Sequence, residues 1–189
     1  MNKTRKFLFA LLATGFFTAA CEDVLRDNLV IIDTVTSFVY NIDTADTNFS
    51  ETESVNLQRV IDDVDGDVED VSFFNITMRV IEIYNSSPET SFTGQITVRQ
   101  SGAGQSQPLV NVTDVKLEDF FTERSIFSDE ISGISVVSDG ISALNDFYQQ
   151  TPMPVVDFTV AGTINRAGGE ERVTFDLEVR LYTQVSTAI

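Results

Sequence analysis

VTFDLEVRL, residues 173–181, alternates without exception between apolar and polar side chains. Successive side chains of a strand point to opposite faces of its sheet, so this period predicts a strand with one face on a hydrophobic core. A second alternating run covers 155–164, and the segment 165–170 between the two runs contains Gly168 and Gly169. A short glycine-containing connection suits a hairpin, so the end of the chain predicts two antiparallel strands.

Six more segments have the composition or the period of strands: 28–42, 48–57, 71–84, 92–99, 109–117 and 131–137. Two of them, 28–42 and 71–84, carry apolar residues on both faces, which predicts central positions in a sheet. The sequence therefore predicts about eight strands, separated by short turn-forming segments.

Helical spacing is rare. Apolar residues recur at intervals of three and four in one segment, at Ile141, Leu144, Phe147 and Tyr148. This spacing predicts one short helix that ends before Pro152, and a further helical turn is predicted over 57–64. Many short strands and little helix predict an all-β domain over residues 29–189, an antiparallel β-sandwich that is either immunoglobulin-like or a jelly roll.

The first 20 residues have the layout of a secretory signal peptide. Lys3, Arg5 and Lys6 precede an uncharged apolar run over 7–17, and small residues follow it. At about 1.5 Å per residue, that apolar run spans about half of the hydrocarbon core of a bilayer, which is too short for a transmembrane helix. We therefore expect residues 1–20 to be removed on export.

Thr18-Ala19-Ala20-Cys21 resembles the lipobox of bacterial lipoproteins, although Thr18 stands where that family prefers leucine. The resemblance implies that Cys21 becomes the lipidated first residue, with 21–28 as a tether to the domain. Glu22 and Asp23 resemble the acidic signal that sends some lipoproteins of Bacteroidota-type bacteria to the cell surface. The location implied is the cell envelope, on an outer membrane, facing either the periplasm or the outside. The alternative is ordinary cleavage after Ala20, which leaves a free cysteine.

The charge balance excludes several classes of partner and of chemistry. The chain has 12 Lys and Arg against 29 Asp and Glu, a net charge of −17. Three of the basic residues lie in the signal segment, so nine remain against 29 acids, a net charge of −20. Such a field repels nucleic acids and anionic lipid headgroups. With no histidine and a single cysteine, the chain also lacks the side chains for a usual zinc site or for Ser-His-Asp or Cys-His catalysis.

An acidic stretch around Gly66 is the one candidate for a cofactor site. Its carboxylates are spaced as in Asp-rich calcium loops: Asp63, Asp65, Asp67, Glu69 and Asp70. The stretch departs from the EF-hand pattern, because Ile61 stands at the first acidic place and Ser72 at the closing one. Calcium would relieve the repulsion between these charges. The alternative is a solvated acidic turn that binds nothing.

These features favour a non-enzymatic protein, anchored to a membrane through its lipid, whose β-sandwich is a binding or structural module for an unknown protein or glycan. A second hypothesis is an adhesin or a subunit of a surface assembly that pairs through its strand edges. A third is a carboxylate-dependent glycoside hydrolase. The absence of tryptophan argues against a sugar-stacking cleft and so against the third.

Overall fold

The computed structural model describes residues 29–102 and 104–188, which contain nine strands and two short helices. The strands in chain order are β1 (Leu29–Thr44), β2 (Asn48–Asn56), β3 (Asp67–Ile83), β4 (Ser91–Gln100), β5 (Gln107–Lys116), β6 (Arg124–Ser125), β7 (Ile134–Val136), β8 (Val155–Asn165) and β9 (Val173–Ala188). The helices are α1 (Arg59–Asp62) and α2 (Ser138–Tyr148), and a 3₁₀ turn covers Leu117–Phe120. Within these residues, neither helix has the length and the apolar surface to cross a membrane.

The strands form two antiparallel sheets, in the orders β1-β9-β3-β6 and β2-β8-β4-β5-β7. Without the three-residue β7, the remaining eight strands numbered in sequence give 1-8-3-6 and 2-7-4-5. This order is that of a jelly roll. The predicted antiparallel sandwich is therefore confirmed, and its strand order is the jelly roll rather than the immunoglobulin-like alternative.

The last strand organises the first sheet, because β9 lies between β1 and β3 and pairs with both along their length. Every odd-numbered residue of β9 from Val173 to Thr187 is buried, and every even-numbered residue is half-buried. The alternation predicted over 173–181 thus continues to the end of the strand. The sequence pattern does not show this continuation, because the inward positions 183 and 187 are occupied by the polar residues Thr183 and Thr187. The Thr183 hydroxyl lies 3.2 Å from the hydroxyl of Tyr148 on α2.

The core lies between the two sheets and is closed at one end by α2. Gly140, Leu144 and Tyr148 form the buried face of that helix. A methyl group at Gly140 would lie 2.0 Å from the carbonyl oxygen of Pro108, so glycine lets α2 approach β5 closely. The helix predicted from the spacing of Ile141, Leu144, Phe147 and Tyr148 is therefore present as α2, and it packs against the core.

Three local predictions differ from the structure. The segment 28–42 was expected in a central position, yet β1 lies at the edge of its sheet. The acidic stretch was expected to be a turn, yet β3 begins at Asp67, because Asp67 pairs with Ala188 of the long β9. The two-residue β6 has no sequence signal, since its pairing with Thr77 and Met78 depends on the tertiary fold.

Candidate functional site

The structure does not gather the five acidic candidates for calcium. Asp63 follows α1, Asp65 lies in the connection, and Asp67, Glu69 and Asp70 extend along β3. Residues of a strand rise about 3.3 Å each, which separates these carboxylates. Within residues 29–102 and 104–188 there is no group of three or more His, Cys, Asp or Glu side chains arranged to hold a metal ion. The calcium hypothesis stays a prediction, which melting with calcium and with a chelator tests.

A pocket of about 340 Å³ lies beside the start of β3, between α1 and the end of α2. Three of its polar side chains, Gln58, Asp70 and Gln149, form hydrogen bonds within the protein. Gln149 donates from Nε2 to the Asp70 carboxylate at 3.1 Å and to the Val71 carbonyl at 2.8 Å. Gln58 accepts a hydrogen bond from the Met153 backbone N–H at 3.1 Å. These contacts join the secondary-structure elements that surround the pocket.

Among the residues that the structure describes, Asp157 on β8 is the buried carboxylate. It accepts hydrogen bonds from the hydroxyl groups of Ser101 and Ser54, the latter at 2.8 Å, and from Nε of Arg99 at 3.1 Å. These donors, Ser101 first, lower the pKa of Asp157 despite its burial. The carboxylate therefore ties the end of β4 and strand β2 to β8, which is a structural role.

Replacing Asp157 by Asn should lower the free energy of unfolding by about 2 kcal/mol, because hydrogen bonds to a buried charge are worth about 1.5–3 kcal/mol each and Asn keeps only part of them. Urea unfolding measures this loss. The matched control is Asp65→Asn at an exposed carboxylate, expected to change the free energy by less than about 0.5 kcal/mol. Equal losses in the two variants would show that Asp157 is not a structural anchor.

A second carboxylate network lies on the outer face of the first sheet. Glu123 accepts hydrogen bonds from Thr77 at 2.5 Å and from the Tyr182 hydroxyl at 2.7 Å, and its other oxygen lies 2.7 Å from Arg180. Arg180 also contacts Glu178, at 3.1 Å, and Glu178 lies 2.8 Å from Arg79. The hydrogen bonds from Thr77 and Tyr182, and then the charge of Arg180, lower the pKa of Glu123.

The direction of these shifts bears on the hydrolase hypothesis. Four carboxyl groups of the described residues have a clearly shifted pKa, and all four are lowered: Asp43, Glu123, Asp157 and Glu170. A glycosidase needs a carboxylic acid whose pKa is raised, so that it can protonate the leaving group. These four groups are held ionised and lack that property.

The lowered pKa values predict a loss of stability in acid. Hydrogen bonds from Arg172 and Thr174 lower the pKa of Asp43 to about 2. A carboxyl with a depressed folded pKa stabilises fully above its unfolded pKa, about 4, and loses that contribution as the pH falls through the folded value. The free energy of unfolding should therefore decline between about pH 4 and pH 2. Asp43→Asn should show a shallower decline in urea titrations, and identical slopes for the two proteins would contradict this account.

The edges of the sandwich differ sharply between its two sides. On one side the sheets end in β6 and β7, of two and three residues. Short edge strands are a common protection against pairing with another chain. On the other side they end in β2, of nine residues, and β1, of 16 residues. Within the described part of the chain, β1 pairs with β9 alone, so its other edge is open over about 50 Å.

The backbone groups that face this edge belong to odd-numbered residues. On β9, the Thr174 carbonyl accepts from the Tyr84 N–H, and the Thr174 N–H donates to Ser86, so Thr174 faces β3. Strand backbones alternate in direction, so the odd-numbered residues of β9 face β1 and bond the even-numbered residues opposite them. Odd-numbered residues of β1 therefore point their N–H and C=O groups outward.

Three of these odd-numbered residues present exposed apolar side chains on the outer face of the sheet. Ile31 is 61% exposed, Val35 52% and Val39 40%. Only Asp33 and Asp43 bring charge to β1, and the strand has no lysine, arginine or proline. Lysine, proline and inward charges are the usual devices that block an edge, and β1 lacks them. An open, long and apolar edge is the candidate binding surface of this protein, and we call it the β1 edge.

The sequence contained part of this signal. Apolar residues on both faces of 28–42 are typical of a central strand, and β1 would become central if another strand added to it. What the pattern alone did not reveal is that the sheet ends there. Cys21, the candidate for lipidation, lies outside the described residues.

Comparison with known proteins adds little. No protein-family model matches the chain, and no curated protein matches it. Among solved structures the chain is similar to the decameric BFDV capsid protein, with 14% sequence identity and a TM-score of 0.36, over 83% of this chain and 98% of that one. A likeness this distant carries no argument about function, so the candidate surface stands on its geometry.

Proposed function

We propose that this chain is a lipid-anchored protein of the cell envelope whose β-sandwich acts as a non-enzymatic binding or structural module, with the β1 edge as its contact surface. The location is supported by the signal-like segment and by the lipobox-like residues that end at Cys21. The module role is carried by one observation, the open edge of a 16-residue strand with exposed Ile31, Val35 and Val39.

The β1 edge favours the assembly form of this function. A strand that adds to an open edge gains main-chain hydrogen bonds along its length, while pockets and exposed side chains select the partner. The outer-face residues of β1 offer such side chains at every second position. The protein is thus best suited to receive an extended strand, as a subunit of a surface assembly or as an adhesin does.

The anchor is tested by labelling cells with a palmitate analogue. The wild-type chain should carry the label, and Cys21→Ala should lose it, because the acylated thiol is gone. Protease added to intact cells then separates the two locations, since only a surface-exposed domain is digested without permeabilisation. An unlabelled wild-type chain would contradict the lipoprotein proposal.

The contact surface is tested separately by a photoreactive amino acid placed at Val35 in cells. The matched control places it at Gln95, an exposed residue on the inner strand β4 of the second sheet. A crosslinked adduct from Val35 and none from Gln95 is expected. Adducts of equal yield at both positions, or none at Val35, would contradict a binding role for the β1 edge.

A further inference from the structure

We propose that the strand received by the β1 edge is the β1 edge of a second copy, paired antiparallel about a two-fold axis at Val35. This inference rests on the proposed function and names its partner. It follows from the order of residues along β1, which is self-complementary about that one position.

The apolar residues of the outer face match themselves across this axis. In an antiparallel pair centred on Val35, Val35 lies opposite its own copy, and Ile31 lies opposite Val39 of the second copy. The three most exposed apolar side chains of the strand therefore pair only with apolar side chains, and these pairs alternate along the strands with pairs of Asp33 and Ser37. Apolar cross-strand pairs of this kind stabilise a sheet.

The charges are compatible with this register, and no other axis from Thr34 to Phe38 pairs apolar residues with apolar residues throughout. With the axis at Val35, Asp33 lies opposite the small hydroxyl residue Ser37. An axis at Thr34 or Thr36 would place Asp33 opposite Val35 or Val39. An axis at Ser37 would oppose Asp43 and Ile31, and one at Phe38 would oppose Asp33 and Asp43, whose like charges repel.

The outward-facing N–H and C=O groups of β1 can form hydrogen bonds in the register centred on Val35. Odd-numbered residues of β1 point their N–H and C=O groups toward the open edge, and the axis at Val35 pairs odd with odd. Over residues 31–39 the two copies would exchange about ten hydrogen bonds, which is the number of direct hydrogen bonds in a typical protein interface. The even-numbered side chains also gain cover, because Val30 is 37% exposed and Ile32, Thr34 and Thr36 are only half-buried.

Net charge opposes the association weakly, because the nearest acids of the two copies stay apart. Asp33 lies two residues from the axis, so its two copies are about 14 Å apart along the strands. Glu53 of β2 lies near Tyr40, whose hydroxyl feels its charge. Tyr40 is five residues from the axis, so the two copies of Glu53 are separated by about 34 Å along the strands. The distances between the two copies of Asp33 and between the two copies of Glu53 both exceed the screening length of about 8 Å at physiological salt, so the repulsion is largely screened.

Disulfide trapping tests the register directly. The full chain with Cys21→Ser and Val35→Cys, purified in mild detergent, should form a reducible dimer under mild oxidation. Directly opposed residues of a hydrogen-bonded pair have Cα atoms about 5.5 Å apart, which a disulfide spans. The control, Ser37→Cys on the same background, should stay monomeric, because its two copies lie about 14 Å apart along the strands. Equal trapping of both cysteines, or none at position 35, would overturn the proposal.

Introducing charges at Ile31 and Val39 gives an independent test, with the dimer measured by sedimentation. Ile31→Lys with Val39→Glu places opposite charges across the axis and should keep the dimer. Ile31→Lys with Val39→Lys places like charges there and should weaken the dimer about tenfold or more. Circular dichroism verifies that both variants fold. A dimer that survives in both, or in neither, would overturn the register.

Cells distinguish this inference from the proposed function. Photocrosslinking at Val35 that yields twice the mass of the chain supports the second copy. An adduct with a different protein would overturn the second copy while leaving the β1 edge as a contact surface. The absence of any adduct at Val35 would contradict both the second copy as partner and the β1 edge as a contact surface.

Discussion

Gly162→Ala should destabilise the protein by about 3 kcal/mol, at the upper end of the cost of overpacking a core. Gly162 on β8 lies opposite Gly94 on β4, in the middle of the second sheet. A methyl group at Gly162 would lie 2.2 Å from the Thr93 carbonyl oxygen and 2.7 Å from the Gly94 Cα atom. Both atoms belong to the neighbouring backbone, so relief requires the two strands to separate. Denaturant unfolding measures the effect against a total stability of about 5–15 kcal/mol for a domain.

The control for this effect is Gly168→Ala in the connection between β8 and β9. There the three nearest atoms to an added methyl group belong to the Glu170 side chain, the first at 3.1 Å, and none belongs to the backbone. A change below about 0.5 kcal/mol is expected. A Gly162→Ala variant as stable as Gly168→Ala would contradict the close approach of β4 and β8.

Tyr40→Ala should cost about 3–5 kcal/mol, the range found when a buried aromatic ring is removed from a core. Tyr40 is 1% exposed, and its ring packs edge-on against Phe38 with centroids 5.6 Å apart. Its hydroxyl donates to the Phe158 carbonyl of the second sheet at 3.1 Å. Burial, with the charge of Glu53 adding to it, raises the pKa of Tyr40, so the hydroxyl stays protonated and remains a donor. Tyr40 therefore fastens β1 to the opposite sheet.

Two variants separate the parts of this role. Tyr40→Phe keeps the ring and loses one hydrogen bond, which should cost about 1 kcal/mol. Tyr84→Ala removes a tyrosine that is half exposed, and the expected change is about 0.5 kcal/mol. If Tyr40→Phe were as damaging as Tyr40→Ala, the hydroxyl rather than the ring would hold the sheets together.

The inner strand β9 was predictable because one of its faces lies on the core, which requires an apolar side chain at every second position. β9 has one face on the core from Val173 to Thr187, so its side chains alternate along the whole strand. The sequence shows this clearly as far as Leu181 and less clearly beyond, where Thr183 and Thr187 occupy inward positions. Polar inward residues depend on a partner that only the fold supplies, as Tyr148 does for Thr183.

The position of β1 was not predictable for a different physical reason. A central strand and an open edge strand of a sandwich both have one face on the core, and they differ in whether a neighbour pairs with their backbone groups. The distribution of apolar residues therefore does not tell the two positions apart. The order of strands in the sheet shows that 28–42 lies at the edge rather than in the predicted central position. This edge position is the main observation behind the proposed function.

The acidic candidates show a different limit of the sequence, in the placement of the segment rather than in its binding of calcium, which stays a prediction. Spacing in the sequence placed Asp63 to Asp70 in one flexible loop, whereas pairing of Asp67, Val68 and Asp70 with β9 draws half of that segment into a strand. Long-range pairing of this kind is set by the end of the chain, more than 100 residues away. A local motif therefore carried no information about whether the carboxylates converge.

Residue-resolved amide hydrogen exchange along β1 tests the central claim most directly. In dilute, monomeric protein the odd-numbered amides, such as those of Val35 and Val39, should exchange fast, while the even-numbered amides of Thr34, Thr36 and Phe38 stay protected by β9. In concentrated or membrane-anchored protein, the odd-numbered amides should become protected as well, because a partner strand then covers the edge. Odd-numbered amides that exchange equally fast in every state would contradict the claim that the β1 edge is a contact surface.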